Sequence, residues 1–151
     1  FIFIGLIVVD NEPIVIEYNV RMGDPETEAV LPRLKTDLVE IFQAIDSQSL
    51  NEVDVEIDSQ TAVTVMLVSG GYPEAYEKGK EITGLDTIQN SIVFHAGANE
   101  KDEKIVTSGG RVMAITSFGK DIKSALNTSY KSIEQLNFEG MNYRKDIGFD
   151  L

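Results

Sequence analysis

The sequence contains no cysteine. Without a thiol, the chain cannot use a cysteine nucleophile, hold zinc through thiolates or close a disulfide. The absence also fits a reducing compartment, and we expect a cytoplasmic protein.

Positive charge is scarce. Lys and Arg number 13 against 25 Asp and Glu, which gives a formal net charge of −12 and a sequence pI near 4.4. A surface of this sign repels phosphate backbones. The basic residues are scattered, and the densest group is Arg144-Lys145. We therefore expect no nucleic-acid partner.

Long apolar runs are also missing. The longest, residues 1–9, is about half of what a membrane-spanning helix needs, and it lacks the positive flank of a signal peptide. We expect no membrane association. The run starts the chain without Met and without a polar lead-in. We therefore expect a piece of a longer protein, with room in 151 residues for one domain plus a remnant of another.

Residues 3–19 have the pattern of a β-hairpin. Strands are predicted over residues 3–9 and 13–19, joined by the turn Asp10-Asn11-Glu12. In the second strand, alternation predicts two faces. One face carries Ile14, Ile16 and Tyr18, and the other Val15, Glu17 and Asn19.

Helices are predicted after the hairpin. Asp24 is a suitable N-cap and Pro25 a suitable first helical residue, so a helix is expected to begin at Pro25. Pro32 is expected to break it, and a second helix is expected to run to about Ile45.

A polar, acidic stretch over residues 46–59 reads as a linker or weak edge, and we place the domain boundary between residues 46 and 47. Beyond it the composition favours a small β-rich domain with one main helix over residues 119–136. Gly70-Gly71-Tyr72-Pro73 is predicted to be a turn, and Gly109-Gly110 a hairpin turn. The predicted strands are residues 62–69, 91–95, 104–107 and 111–117.

The stretch Glu17-Tyr18-Asn19-Val20-Arg21 is the most informative for chemistry. Residues two apart on a strand point the same way, so Glu17 and Asn19 would present a carboxylate and an amide oxygen side by side. These are hard oxygen ligands suited to Mg²⁺, and Arg21 would add a fixed positive charge for phosphate. On spacing alone, the pattern favours a solvated polar strand face.

The longer string from Ile16 to Leu34 closely resembles the segment that closes the ATP-grasp domain in phosphoribosylamine–glycine ligases. Further blocks follow in that family's order and cover nearly the whole chain. They are Ser69-Gly70-Gly71-Tyr72-Pro73, Val93-Phe94-His95-Ala96-Gly97, Val106-Thr107-Ser108-Gly109-Gly110-Arg111-Val112, Phe138-Glu139-Gly140-Met141 and Tyr143-Arg144-Lys145-Asp146-Ile147-Gly148.

The resemblance implies a role for each candidate residue. Glu17 and Asn19 match the pair that holds Mg²⁺, or Mn²⁺, against the ATP phosphates. Arg21 matches the catalytic arginine that faces the reacting phosphoryl group. Asp24 is expected to shape the amino-acid or acyl-phosphate pocket, and Ile7 to lie under the adenine ring, although helix capping and core packing would explain these two equally well or better.

The resemblance also implies a fold and a reaction. The fold is α+β: residues 1–46 would be the end of an ATP-grasp lobe (a hairpin plus helix), and residues 47–151 the family's C-terminal domain. The reaction joins glycine to phosphoribosylamine in purine biosynthesis, with ATP as co-substrate and a glycyl phosphate intermediate. Its other partners would be the missing N-terminal and ATP-grasp domains of the same chain. We expect the fragment alone to be inactive and to bind ATP weakly or not at all.

Two alternatives stay open at this point. The chain is also compatible with another ATP-grasp enzyme, such as a biotin carboxylase-like protein or a different purine-pathway member, or with a free-standing interaction domain. Some relatives carry an additional acidic metal ligand where this chain has Gly5. His95, the only histidine, is expected to be packed or hydrogen-bonded rather than catalytic. Arg111, Arg144 and Lys145 are expected to be surface charges unless they meet a ribose phosphate or another domain.

Overall fold

The protein is an α+β structure, as predicted. The structure, a computed structural model, describes residues 1–149, so the last two residues of the predicted 47–151 domain lie outside it. The described part contains three antiparallel sheets, one of three strands and two of two strands. Its α-helices are α1 (Thr27–Val30), α2 (Leu38–Asp46) and α3 (Ile122–Ile133).

The N-terminal hairpin forms as predicted, with one irregularity. Strands β1 (Phe3–Val9) and β2 (Glu12–Asn19) are joined by Asp10 and Asn11. Both turn residues have positive φ, 51° and 65°, as in a type I′ turn. Gly5 pairs with Glu17 but Leu6 pairs with Val15, so Ile16 is an extra residue in a β-bulge. Strict alternation along β2 was therefore a wrong prediction, because the bulge interrupts it.

The first helix begins later than predicted. It starts at Thr27, with Glu26 at its N-cap and no side-chain cap, so the start at Pro25 and the capping role of Asp24 were wrong. The physical reason is that the Asp24 carboxylate pairs with Arg111 instead. A 3₁₀ turn at Leu31–Arg33 follows, as Pro32 predicted, and α2 then runs to Asp46.

The acidic stretch before the second half of the chain is folded back on the first helical segment. The amide of Lys35 donates to Glu56 O at 2.9 Å, and the amide of Asp58 donates to Arg33 O at 2.7 Å. The Arg33 guanidinium also donates to Asp58 O at 2.9 Å. This stretch is thus a short, irregular edge, and a domain boundary at 46/47 stays a prediction.

A three-stranded sheet forms the centre of the molecule. Its order is β3 (Thr61–Val68), β7 (Arg111–Gly119) and β4 (Ile92–His95), with β7 in the middle. A separate hairpin consists of β5 (Ala98–Lys101) and β6 (Lys104–Thr107). The predicted hairpin at Gly109-Gly110 was wrong, because β6 pairs with β5 and not with β7. Strand β5 was missed.

Both faces of this sheet are covered. Helix α3 lies on one face, where Ser129 donates to Ser117 Oγ at 2.8 Å, and Ile133 joins the core with Val65 and Ile115. Helix α1 lies against the other, where the Thr116 hydroxyl donates to Glu28 O at 2.9 Å. This double covering explains why nearly all of β7 is buried.

The main helix is shorter than predicted because its cap is inside the predicted range. Asp121 and Ser124 form a reciprocal capping box, so α3 begins at Ile122 and not at Gly119. The amide of Ser124 donates to Asp121 Oδ1 at 2.7 Å.

Candidate functional site

The five predicted site residues lie on the hairpin and on the turn that follows it. Glu17 and Asn19 are at the end of β2, Arg21 follows the strand, and Asp24 lies in the turn before α1. Ile7 is on β1, opposite Ile14, and is 50% exposed. Core packing therefore does not account for Ile7 within the described residues, and its contact with adenine stays a prediction.

Glu17 and Asn19 have the arrangement expected of a metal-binding pair. They are two residues apart on the same strand, after the bulge at Ile16. The described residues offer no hydrogen-bond or ion-pair partner to the Glu17 carboxylate, which is exposed. An unengaged carboxylate beside an amide oxygen is a donor set that fits Mg²⁺ or Mn²⁺.

The residue opposite Glu17 leaves room for its side chain. Gly5 is its direct partner on β1, and a Cβ at this position would lie 3.1 Å from Glu17 Cγ. A larger residue would push the Glu17 stem aside. Within residues 1–149 no group of three or more acidic or histidine side chains could hold a metal ion. A bound ion would therefore need further ligands from phosphate groups, water or other parts of a longer protein.

Arg21 is exposed directly after the hairpin. Its Nη1 donates to the neighbouring main-chain oxygen of Met22 at 3.0 Å. This bond uses one of the five guanidinium donors. The rest of the group is available to an anion, which is compatible with the predicted role at a phosphoryl group.

Asp24 is bound by the side chain of Arg111. Nη2 of Arg111 lies 3.1 Å from Asp24 Oδ2, and Nη1 donates to the main-chain oxygen of Asp24 at 3.0 Å. Sequence reasoning missed this contact because the residues are 87 positions apart. No local pattern links a turn residue to the first residue of a distant strand.

Glycines bring several loops together at the same end of the sheet. Gly97 donates its amide to Arg111 O at 2.8 Å, and Ser69 donates its amide to Gly110 O at 2.8 Å. A Cβ on Gly97 would come within 2.7 Å of Gly109 Cα, and one on Gly110 would overlap the Tyr72 ring. Gly97, Gly109 and Gly110 are therefore packing positions that fix the start of β7.

A mostly apolar cleft lies beside α1. It is about 480 Å³, with Thr27, Glu28, Phe94 and His95 among its lining residues. His95 is exposed at the end of β4, so the expected packed histidine was wrong. Glu28 Oε2 is buried, and it is the one such side-chain atom in residues 1–149 without a hydrogen-bond partner. This oxygen can accept a donor that the described residues do not supply.

The basic pair near the end of the chain is engaged locally. Arg144 donates through Nε and Nη2 to the two carboxylate oxygens of Asp146, each at 2.9 Å, which lowers the pKa of that carboxyl. The Lys145 ammonium lies 5.8 Å from the centre of the Tyr143 ring. Both residues are exposed, as predicted for surface charges.

Much of the apolar surface of the N-terminal segment is uncovered. Exposed side chains include Leu6, Ile16 and Val20 on and after the hairpin. Between the chain start and α2 lies an apolar groove of about 590 Å³, lined by Phe1, Leu34 and Ile45 among others. In the described ranges, no helix combines the length and apolar character needed to cross a membrane.

Comparison with known proteins identifies relatives over the whole chain. Residues 62–150 match the family model described as phosphoribosylglycinamide synthetase, C domain. Phosphoribosylamine–glycine ligase from Caldanaerobacter subterraneus is 47% identical across 97% of this chain, and the enzyme of that name from Synechocystis is 46% identical across 97%. The trifunctional purine biosynthetic protein adenosine-3 of Gallus gallus is 43% identical across 98%.

A similar solved structure bears the same name as the two bacterial relatives. The crystal structure of phosphoribosylamine–glycine ligase from Thermotoga maritima superposes with a TM-score of 0.76 at 38% identity, over 96% of this chain. The match covers 36% of that enzyme. The chain likewise spans 35% and 36% of the two bacterial relatives and 15% of the trifunctional protein.

Proposed function

The chain belongs to the phosphoribosylglycinamide synthetase family, and we propose that it is the C-terminal part of an ATP-dependent ligase that joins glycine to phosphoribosylamine. The observation that carries the proposal is the end of β2, where an unengaged Glu17 carboxylate and Asn19 lie side by side, followed by Arg21. The two bacterial relatives that match along the chain bear the ligase name, which favours this reading over a biotin carboxylase-like enzyme or a free-standing interaction domain.

In the proposed reaction, a carboxylate oxygen of glycine attacks the γ-phosphorus of ATP and ADP leaves. The amine of phosphoribosylamine then attacks the carbonyl carbon of glycyl phosphate, inorganic phosphate leaves, and the amine loses a proton. Mg²⁺ or Mn²⁺, when bound, neutralises phosphate charge.

Five side chains of this chain have proposed roles in that reaction. Glu17 and Asn19 hold the metal ion, Arg21 stabilises negative charge on the transferred phosphoryl group, and Asp24 shapes the glycine pocket. Ile7 provides an apolar surface for the adenine ring. No covalent nucleophile is required, which is consistent with a chain without cysteine.

The exposed apolar surfaces support a further part of the proposal. We infer that residues 1–46 complete an ATP-grasp lobe supplied by the rest of a longer protein, and that residues 47–151 form the C-terminal domain. Isolated hairpins of two strands are marginal in water, so β1 and β2 are expected to join a larger sheet. We also propose that the protein is cytoplasmic.

The test is ADP release by the full-length protein, measured with and without glycine and phosphoribosylamine. We expect release to require both substrates and Mg²⁺. Glu17→Gln should lower the rate by roughly 100-fold because it removes the charged metal ligand. Glu12→Gln is the matched control, since it alters an exposed glutamate of the same strand and should leave the rate unchanged. The chain 1–151 alone should release no ADP.

Two results would contradict the proposal. ADP release without glycine would assign the protein to another ATP-grasp reaction. Full activity in Glu17→Gln would remove Glu17 from the metal site.

A further inference from the structure

One side chain attaches the turn after the proposed ATP site to the centre of the main sheet. Arg111 contacts Asp24 at two points, the carboxylate at 3.1 Å and the main-chain oxygen at 3.0 Å. The guanidinium thus holds both the backbone and the side chain of one residue. A lysine ammonium is a single point charge and does not reproduce this planar, two-point contact.

The backbone of Arg111 is itself held from two sides. It pairs with Val68 of β3, and its carbonyl oxygen accepts from the amide of Gly97 at 2.8 Å. Arg111 is also the first residue of β7, the strand with neighbours on both edges. The Arg111 side chain that contacts Asp24 is therefore attached to a backbone whose position is fixed on both sides.

The turn has few other attachments near Arg21. Thr27 closes it locally, with its amide donating to Gly23 O at 3.0 Å, and Arg21 donates to the adjacent main-chain oxygen of Met22. The next contact with the sheet is the Thr116 hydroxyl on Glu28 O. Among the hydrogen bonds and ion pairs of the described residues between β2 and α1, those of Arg111 are the ones that join the turn to the sheet.

The effect of this contact is expected to be geometric more than stabilising. The side chains of Arg111 and Asp24 are 39% and 55% exposed. Ion pairs this exposed contribute little to folding, because water screens them. Small displacements of groups that orient a substrate, in contrast, can lower the rate of a reaction strongly.

We propose that Arg111 is a positioning residue of the ligase: it sets the place of the turn 21–24, and with it the orientation of Arg21 and Asp24. The inference rests on the proposed function. It makes the first residue of β7, in the proposed C-terminal domain, part of the support of the site on the preceding segment. The kcat/KM for glycine should depend on the Arg111 side chain, whereas the binding of ATP to β1 and β2 should not.

The experiment compares Arg111→Gln and Arg111→Lys with the unchanged full-length protein. Arg111→Gln should lower kcat/KM for glycine by about 10- to 100-fold, while KM for ATP changes by less than about 2-fold. The kcat/KM of Arg111→Lys for glycine should lie between the values of Arg111→Gln and the unchanged protein, because lysine keeps the positive charge but not the planar, two-point contact. Lys104→Gln is the matched control, since it breaks an exposed ion pair with Glu81, at 2.7 Å, on the β5–β6 hairpin.

Hydrogen exchange gives a readout that does not depend on activity. Peptides covering residues 21–28 should exchange faster in Arg111→Gln than in the unchanged protein, and Lys104→Gln should have no effect there. Thr116→Val removes the hydroxyl on Glu28 O, so it should speed exchange within α1 without changing KM for glycine. Asp24→Asn, studied by exchange alone, weakens the same contact from the other side if Arg111→Gln fails to fold.

The outcomes separate this inference from the proposed function. Unchanged exchange of residues 21–28 in Arg111→Gln, or a rise of KM for ATP as large as that for glycine, would overturn the positioning role. If the unchanged protein releases no ADP with glycine and phosphoribosylamine, the proposed function fails. The exchange comparison then still decides whether Arg111 holds the turn.

Discussion

At the scale of single residues, the proposed metal site depends on a glycine opposite Glu17 as well as on its own polar side chains. Gly5 lies opposite Glu17, and a Cβ there would be 3.1 Å from Glu17 Cγ. That distance is tight, but the contact atom belongs to a flexible side chain. A methyl group at Gly5 would therefore move the carboxylate while leaving the hairpin intact.

We predict that Gly5→Ala raises the Mg²⁺ concentration needed for half-maximal ADP release by the full-length protein, by up to about 10-fold. The thermal unfolding temperature should stay the same or rise slightly, because alanine loses less backbone entropy than glycine in a strand. A Mg²⁺ titration of both proteins measures the first effect, and calorimetry the second. An unchanged Mg²⁺ requirement would mean that the Glu17 stem does not need the space at Gly5.

The residue scale also separates what local sequence can predict from what it cannot. Glu17 and Asn19 lie two residues apart on one strand and Arg21 follows it, so local sequence together with the family resemblance predicted a metal and phosphate site. Asp24 was assigned to a helix cap on equally local grounds. That assignment failed because its carboxylate pairs with Arg111, which tertiary packing brings from the far part of the chain.

At the scale of secondary-structure elements, α3 is defined by its first turn. The Asp121 carboxylate accepts from the Ser124 amide at 2.7 Å, and the Ser124 hydroxyl oxygen accepts from the Asp121 amide at 3.2 Å. The backbone and hydroxyl hydrogen bonds from Ser124 hold the pKa of the Asp121 carboxyl below its usual range. The cap is therefore strongest when Asp121 is ionised.

We predict that Asp121→Asn lowers the unfolding temperature of the chain near pH 7, and that the difference from the unchanged chain shrinks in acid. The folded-state pKa of Asp121 is lowered, so its contribution is full above the unfolded value of about 3.9 and is lost as pH falls through the folded value. Thermal unfolding between pH 7 and pH 3 measures this.

Glu100→Gln is the control for this prediction, because it removes one exposed charge on β5 without removing a cap. It should change the unfolding temperature little at any of these pH values. A difference between Asp121→Asn and the unchanged chain that stays constant down to pH 3 would contradict the ionised cap.

Elements with apolar runs were predictable and polar ones were not. Strands β3 and β7 have long stretches of branched residues, and they were found because burial requires such stretches. Strand β5 reads Ala-Asn-Glu-Lys and is mostly exposed, so its composition carries no strand signal. Its turn, Asp102-Glu103, also lacks the glycine that usually marks a tight hairpin.

At the scale of the whole molecule, the N-terminal hairpin is much less completely packed than the domain around the three-stranded sheet. The core includes Val65, Met113 and Ile133, which are fully buried. The hairpin exposes Leu6 and Ile16, at 55% and 65%, together with neighbouring apolar side chains. Contiguous apolar surface of this kind indicates a missing partner surface, which in the proposed ligase is the remainder of the ATP-grasp lobe.

We predict that the chain 1–151 alone self-associates, and that the double variant Leu6→Lys/Ile16→Lys associates less. Charged residues on an exposed strand oppose edge-to-edge pairing. The unfolding temperature should not fall, because neither side chain belongs to the core. Gel filtration at several concentrations measures association, with Gln60→Lys as a control of added charge away from the hairpin.

The same double variant should have the opposite effect in the full-length protein. There the hairpin is expected to be inside the lobe, so the two lysines should impair activity or folding. An isolated chain that stays monomeric at all concentrations would contradict the inferred docking surface.

The central place of β7 has a consequence for how the protein is made. A ribosome delivers the chain from its N-terminus, so β2 and the turn at Asp24 emerge well before residue 111. Neither β3 nor β4 has its partner until β7 has left the ribosomal tunnel, because β7 lies between them. The Arg111 and Thr116 contacts to the turn and to α1 form no earlier. Nascent chains halted before this strand should therefore be vulnerable to proteases and dependent on chaperones.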